Sequence, residues 1–351
     1  MYRLYSPFIQ PVDQTVIRPV TRRQAVTSSL ALSLGAVLSS WSHAEVTAPV
    51  DEVWQDSRRQ RGVPVRIRWP SDALPKPAGG WPVVLFSHGL GGTRAGGAVW
   101  GQAWAAAGFV VVHLQHPGSD LDAARQVASR FSDRAARRGL GSAQQLLARL
   151  QDVVFVLDEV ARRHASDTRW AAVRPERAGL SGHSFGAHTA LGVGGQSYPG
   201  FAGMREPRLA ALIAFSPTLP AAGDAQKAFA AIVQPTLCIT GTRDDDVLGN
   251  GATPDKRAGV FAALPAGRRA QLVLSDADHM TFAGQTGRVA SSLPREAITQ
   301  QLQAQHHALV ASITTDWWHA HLADDVVVKA AAKARLVQPQ GLTAQDTWQM
   351  D

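Results

Sequence analysis

The pentapeptide Gly182-His183-Ser184-Phe185-Gly186 constrains this chain more than any other stretch. Arg177-Ala178-Gly179-Leu180-Ser181 before it reads as the end of a strand, and Ala187-His188-Thr189-Ala190-Leu191 after it as the first turns of a helix. G-x-S-x-G between a strand and a helix makes a sharp corner with the serine hydroxyl at its tip, open to a reactant. Such a corner tolerates only small neighbours, which Gly182 and Gly186 supply. It also puts the Phe185 N–H at a helix N-terminus, where developing negative charge is favoured. A glycine-rich corner with a chance serine would look the same in isolation, so the partners elsewhere in the chain decide its meaning.

The rest of the chain supplies a suitable frame. With 351 residues, 45% of them hydrophobic, it can bury one large core or two small ones. Residues 83–86, 109–114, 209–215, 235–240 and 271–274 are apolar runs of the kind expected for strands covered on both faces. Residues 63–69 alternate as a half-buried, edge-type strand compatible with Pro64. Helical patterns at 95–108, 143–163 and 298–322 fall between or after the strands. This alternation predicts an α/β protein with a doubly wound, mostly parallel sheet, whose ligands sit at the carboxyl ends of the strands. Residues 121–140 read as a helical insertion near that end, interrupted by Gly139-Leu140-Gly141, and residues 326–351 as a short helix and a loose tail.

The N-terminal residues 1–44 read as an export signal. Arg22-Arg23 is a twin-arginine pair, a mildly apolar segment spans 25–38, and Ser42-His43-Ala44 suits cleavage before Glu45. The apolar part is short and serine-rich for a membrane span. These features predict passage through twin-arginine export machinery to the periplasm or the medium. Cleavage would remove four arginines and one aspartate, taking the formal charge from +7 to +4. The remaining basic residues are scattered, with no basic block interleaved with aromatics, so no nucleic-acid partner is expected. The single cysteine, Cys238, lies in an apolar run and reads as a small core residue.

A serine hydroxyl needs a base within hydrogen-bond reach, usually a histidine held in one tautomer by a carboxylate. After Ser184, Thr240-Gly241-Thr242-Arg243-Asp244-Asp245-Asp246 follows one expected strand and Ser275-Asp276-Ala277-Asp278-His279 follows the last. His279 stands where the base belongs. The acid is Asp244 by its Gly-x-x-Asp spacing, with Asp245 as the alternative and Asp246 as a surface carboxylate. Two oxyanion donors are also needed: Phe185 N–H is one, and Leu90 N–H in the turn His88-Gly89-Leu90-Gly91-Gly92 is the other. A phosphate cradle is the rival for those glycines, but it lacks the Lys-Ser/Thr pair. His88, His183 and His188 read as structural. His306-His307 and His319-x-His321 lack spacing for one helical face and have no Cys or carboxylate cluster beside them, so neither metal nor cofactor is expected.

Phe86-Ser87-His88-Gly89-Leu90-Gly91-Gly92 together with Gly182-His183-Ser184-Phe185-Gly186 resembles the platelet-activating-factor acetylhydrolase and dienelactone-hydrolase-like branch of the α/β-hydrolases. His116-Pro117-Gly118-Ser119-Asp120, Thr240-Gly241-Thr242-Arg243-Asp244 and Ala277-Asp278-His279-Met280 resemble an exported bacterial subgroup of it. The resemblance covers about residues 54–322 and implies an α/β-hydrolase catalytic domain over 45–325. It implies a serine esterase with Ser184 as nucleophile, His279 as base, Asp244 as acid, Leu90 and Phe185 as oxyanion donors, and a small-molecule or lipid-like ester as substrate. Dienelactone hydrolases proper carry cysteine at the corner, where this chain has Ser184. The architecture is also similar to cutinase-like polyester hydrolases. Polyester or lipid hydrolysis, other acyl transfer, and a binding protein that kept the fold are the remaining readings.

Overall fold

A computed structural model describes residues 47–128, 139–247, 251–285 and 295–351. The expected export signal and the central part of the 121–140 segment lie outside the described residues. Nine strands form one sheet, in the spatial order β1-β2-β4-β3-β5-β6-β7-β8-β9. They are β1 Val50–Asp56, β2 Arg61–Arg68, β3 Trp81–Ser87, β4 Val110–Leu114, β5 Val173–His183, β6 Leu209–Phe215, β7 Thr236–Arg243, β8 Arg269–Asp278 and β9 Thr347–Met350. The strands from β4 to β8 pair in parallel, while β1, β2 and β9 are antiparallel additions at the edges.

The central strands are the apolar runs. In β3 all residues after Trp81 are buried, because helices cover both faces of the sheet. On one face lie α3 (Ala143–His164) and α4 (Phe185–Gly194); on the other lie α1 (Ala98–Ala106) and α7 (Ala297–Leu322). Shorter helices are α2 (Leu121–Ala128), α5 (Ala225–Phe229), α6 (Pro254–Ala263) and α8 (Val326–Val337). Ser142 caps α3, accepting from the Gln145 N–H, and Arg162, Arg163 and His164 place positive charge at its C-terminal end. Across the second face, Trp104 donates to Thr314 and Trp317 to the Leu212 carbonyl, which pins α7 to α1 and β6. Cys238 is fully buried in β7, and burial pushes its thiol up to about 12.

The loose tail expected at the C-terminus is corrected by the structure. After α8 the chain returns as β9 and pairs with β8 along Ala270–Val273. Asp346 accepts from the Ser275 N–H, Trp348 donates to the Leu336 carbonyl, and Asp351 pairs with Arg269. A four-residue strand is too short to declare itself by alternation. The first strand, β1, was also unannounced: it is mostly exposed at the edge and mixes charged with apolar residues.

Candidate active site

Every candidate group stands at the carboxyl end of a parallel strand. The serine corner joins β5 to α4. Ser184 has φ 55° and ψ −112°, a conformation that side chains other than glycine rarely adopt. The neighbours must be glycine for a contact reason. A Cβ on Gly182 would lie 2.1 Å from the Gly186 carbonyl oxygen, and one on Gly186 would lie 1.9 Å from that of Ser87. The strained corner is anchored by the Ser184 N–H donating to the Phe215 carbonyl, 2.9 Å. Among the described residues the Ser184 hydroxyl and the Leu90 and Phe185 amides have no hydrogen-bond partner.

Parallel register brings the second pair together. Arg243 of β7 lies opposite Asp278 of β8, so the next residues, Asp244 and His279, emerge side by side. His279 Nδ1 meets Asp244 Oδ1 at 2.7 Å, and Thr240 donates to Oδ2 at 2.8 Å. Arg257 from α6 closes the far side, with its Nε 2.9 Å from Oδ1 and its Nη1 donating to the Ser216 carbonyl. Burial alone would raise the Asp244 carboxyl; the His279 hydrogen bond and charge and the Arg257 guanidinium outweigh it and hold the carboxyl below its usual range. Of the three consecutive aspartates, Asp244 is the one that meets the imidazole; Asp245 is exposed, and Asp246 is half-buried at the cavity wall rather than on the open surface.

His183 links this pair to the serine corner. Its ring lies 4.6 Å from that of His279, and its Nε2 donates to the His279 carbonyl at 2.9 Å. No hydrogen bond joins Ser184 to His279 among the described residues; such contacts often tighten only when a substrate is bound. Gly89 carries the Leu90 turn onto the same corner, since a Cβ there would meet His183 Nδ1 at 3.0 Å and Ser184 Cβ at 3.5 Å. A cavity of about 860 Å³ opens in front of Ser184. Leu90, Leu146, Phe185, Tyr198 and Phe201 give it apolar lining, and Ser216 and Arg257 also border it. A second hollow of about 580 Å³ shares Tyr198 and Pro199 with it and runs toward Lys227.

Sequence reasoning missed a second cluster behind the Leu90 turn. Ser87 Oγ lies 2.9 Å from His116 Nε2, and His116 Nδ1 lies 3.0 Å from Asp152 Oδ2. These are triad distances, yet all three residues are fully buried, so no substrate reaches Ser87. Asp152 also takes Arg59 and Arg61, which turns two apparently surface arginines inward. The available signal was that Arg149 and Asp152 fall on the same face of α3 as Val153 and Val156, and all four are buried. His306 and His307 are both buried on α7, and no group of three His, Cys, Asp or Glu side chains gathers as a metal would need among the described residues.

The buried histidines set an acid limit on stability. Burial, then the Arg68 charge, lowers His113 to about 3; burial, then Arg149, lowers His116 to about 4. Burial likewise holds His88 and His183 well below 6.5. The unfolded chain binds these protons at about 6.5 and the folded protein does not. Their stabilisation is therefore complete above about pH 6.5 and is lost as pH falls toward 4, by up to about 1.4 kcal/mol per pH unit for each histidine. Urea unfolding at a series of pH values should show this steep decline; a flat profile from neutral pH to 5 would refute it.

A mostly parallel nine-stranded sheet with helices on both faces and a tight serine corner after β5 is the α/β-hydrolase fold, and the chain has it. Residues 63–139 match the family described as platelet-activating factor acetylhydrolase, isoform II, which agrees with the resemblance drawn from the motifs. The matched stretch includes most of β2, then β3, the Leu90 turn, α1, β4 and the His116 loop, and ends before Ser184. The chain is a serine hydrolase of the ester-cleaving type. No curated protein matches it.

Proposed function

We propose that the protein hydrolyses carboxylic esters through an acyl-serine intermediate, with Ser184, His279 and Asp244 as the triad. Ser184 Oγ attacks the ester carbonyl carbon while His279 Nε2 takes its proton. Asp244 accepts from Nδ1–H, which keeps the Nε2 lone pair directed at the serine and stabilises the imidazolium. The tetrahedral oxyanion accepts from the Leu90 and Phe185 N–H groups, and α4 adds its N-terminal dipole. Collapse returns the proton to the departing alcohol. Water then attacks the acyl-serine with the same base, releasing the acid.

One observation carries this reading: an unpartnered hydroxyl on a strained corner faces a large cavity, beside an Asp244–His279 pair at 2.7 Å. The apolar wall suits an ester with a sizeable hydrocarbon part, which favours a lipid-like or polyester-like substrate over a very small polar one. The family named above is called after an acetylhydrolase of a lipid mediator, and nothing in this cavity singles out that lipid. The arginine pair, apolar segment and small residues of 1–44 support export through the twin-arginine route, cleavage after Ala44, and work in the periplasm or medium.

A fluorophosphonate probe tests the nucleophile directly. The folded protein is expected to take up one label, at Ser184, with none at Ser87 despite its His116 and Asp152 partners. Label at Ser87, or none at Ser184, would overturn the assignment.

A further inference from the structure

The carbonyls of the Leu90 turn are held from behind by a buried arginine. Arg149 of α3 is fully buried, and its Nη1 donates to the His88 carbonyl at 2.7 Å while Nε donates to Ser119 Oγ at 2.8 Å. Nη2 reaches the Gly89 and Ser119 carbonyls at 3.4 Å. The same guanidinium lies 4.3 Å over the ring of Phe185. One side chain thus touches both segments that carry the candidate oxyanion donors.

The Gly89–Leu90 peptide shows what this contact does. Its carbonyl accepts from the Gly92 N–H at 3.1 Å, from His88 Nδ1 at 2.6 Å, and from Arg149. The His88 tautomer is set by its other nitrogen. The His116 N–H donates to His88 Nε2 at 3.0 Å, so Nε2 carries no proton and Nδ1 does. A trans peptide points its N–H opposite to its C=O. Drawing the Gly89 carbonyl back toward α3 therefore turns the Leu90 N–H toward the cavity that Leu90 shares with Ser184.

We propose that Arg149 is a positioning residue for ester cleavage, fixing the Leu90 N–H and the Phe185 corner in the direction the oxyanion will need. This rests on the ester-hydrolase reading above. A buried cation served by carbonyls and a hydroxyl, with no carboxylate in ion-pair contact among the described residues, is costly for the fold. Burial lowers its own pKa to about 9, against the pull of Asp152 and Asp120. The two buried charged residues of α3 share the work: Asp152 holds His116, and His116 holds His88.

The test compares Arg149→Met and Arg149→Lys with the parent protein, with exposed Arg162→Met on the same helix as control. The Met variant is expected to lose kcat on the order of 100-fold. Its KM should stay within about threefold, because the lost interaction acts in the transition state. Affinity for an alkyl boronic acid, which mimics the tetrahedral species, should fall in parallel. Arg149→Lys can reach one carbonyl and should fall between the two, while Arg162→Met changes neither constant. Circular dichroism and melting establish that each variant is folded. If a folded Met variant keeps kcat within about threefold, or loses kcat without losing boronate affinity, the proposal is wrong. If the Met variant does not fold, the Lys variant decides by the same split. Ser184→Ala assayed alongside separates the two claims: full activity there sinks the ester reading itself, whereas normal activity in the Arg149 variants alone sinks only the positioning role.

Discussion

Replacing Ser184 with alanine is expected to lower kcat for p-nitrophenyl esters on the order of a millionfold, leaving only what the amide donors and binding provide. The cause is chemical, since the neighbouring hydroxyls of Ser181 and Thr189 are fully buried and cannot replace it. The fold should survive, because the Ser184 hydroxyl holds no hydrogen bond among the described residues and its backbone contact to Phe215 does not involve the side chain. Ser184→Gly should even stabilise the protein by about 1 kcal/mol, as glycine accepts φ 55° without strain. Activity and thermal melting of both variants check this together. Near-native turnover in either one would remove Ser184 from the mechanism.

The second large effect distinguishes neighbouring aspartates. Asp244→Asn keeps the shape but can donate a proton to His279 Nδ1, which favours the wrong imidazole tautomer, and kcat should fall about ten-thousandfold. Asp245→Asn, at an exposed side chain, should leave kcat within about twofold. Because Asp244 is wholly buried between His279 and Arg257, its substitution should also destabilise the protein, by up to about 3–5 kcal/mol. Assays must therefore be run well below the variant's melting temperature. Equal losses in the two variants would contradict the geometry of the Asp244–His279 pair.

Much of this arrangement was legible in the chain. Apolar runs such as those that became β3 and β6 reveal buried parallel strands, and parallel strands put their following loops at one rim. Asp244 and His279 could be named because each follows such a run, and Ser184 because of its glycine-flanked pentapeptide. The edges were harder to read, since β1 and β9 are short or half-exposed and carry no continuous apolar signal. Arg149 was harder still. A charged residue in a helix ordinarily faces water, and only its spacing from Val153 and Val156 places it against the sheet. What it touches there, the carbonyls of a turn about sixty residues earlier, depends on tertiary packing and has no local pattern.

The sealed Ser87–His116–Asp152 array illustrates how little a constellation of atoms says by itself. A template search keyed to interatomic separations would rank the sealed array first, since it holds both contacts while the outer set shows only the carboxylate–imidazole one. Only one of them has a doorway. Anyone redesigning the enzyme could treat the inner copy as an internal standard: the same three chemical functions, in the same polypeptide, with solvent and ester kept out.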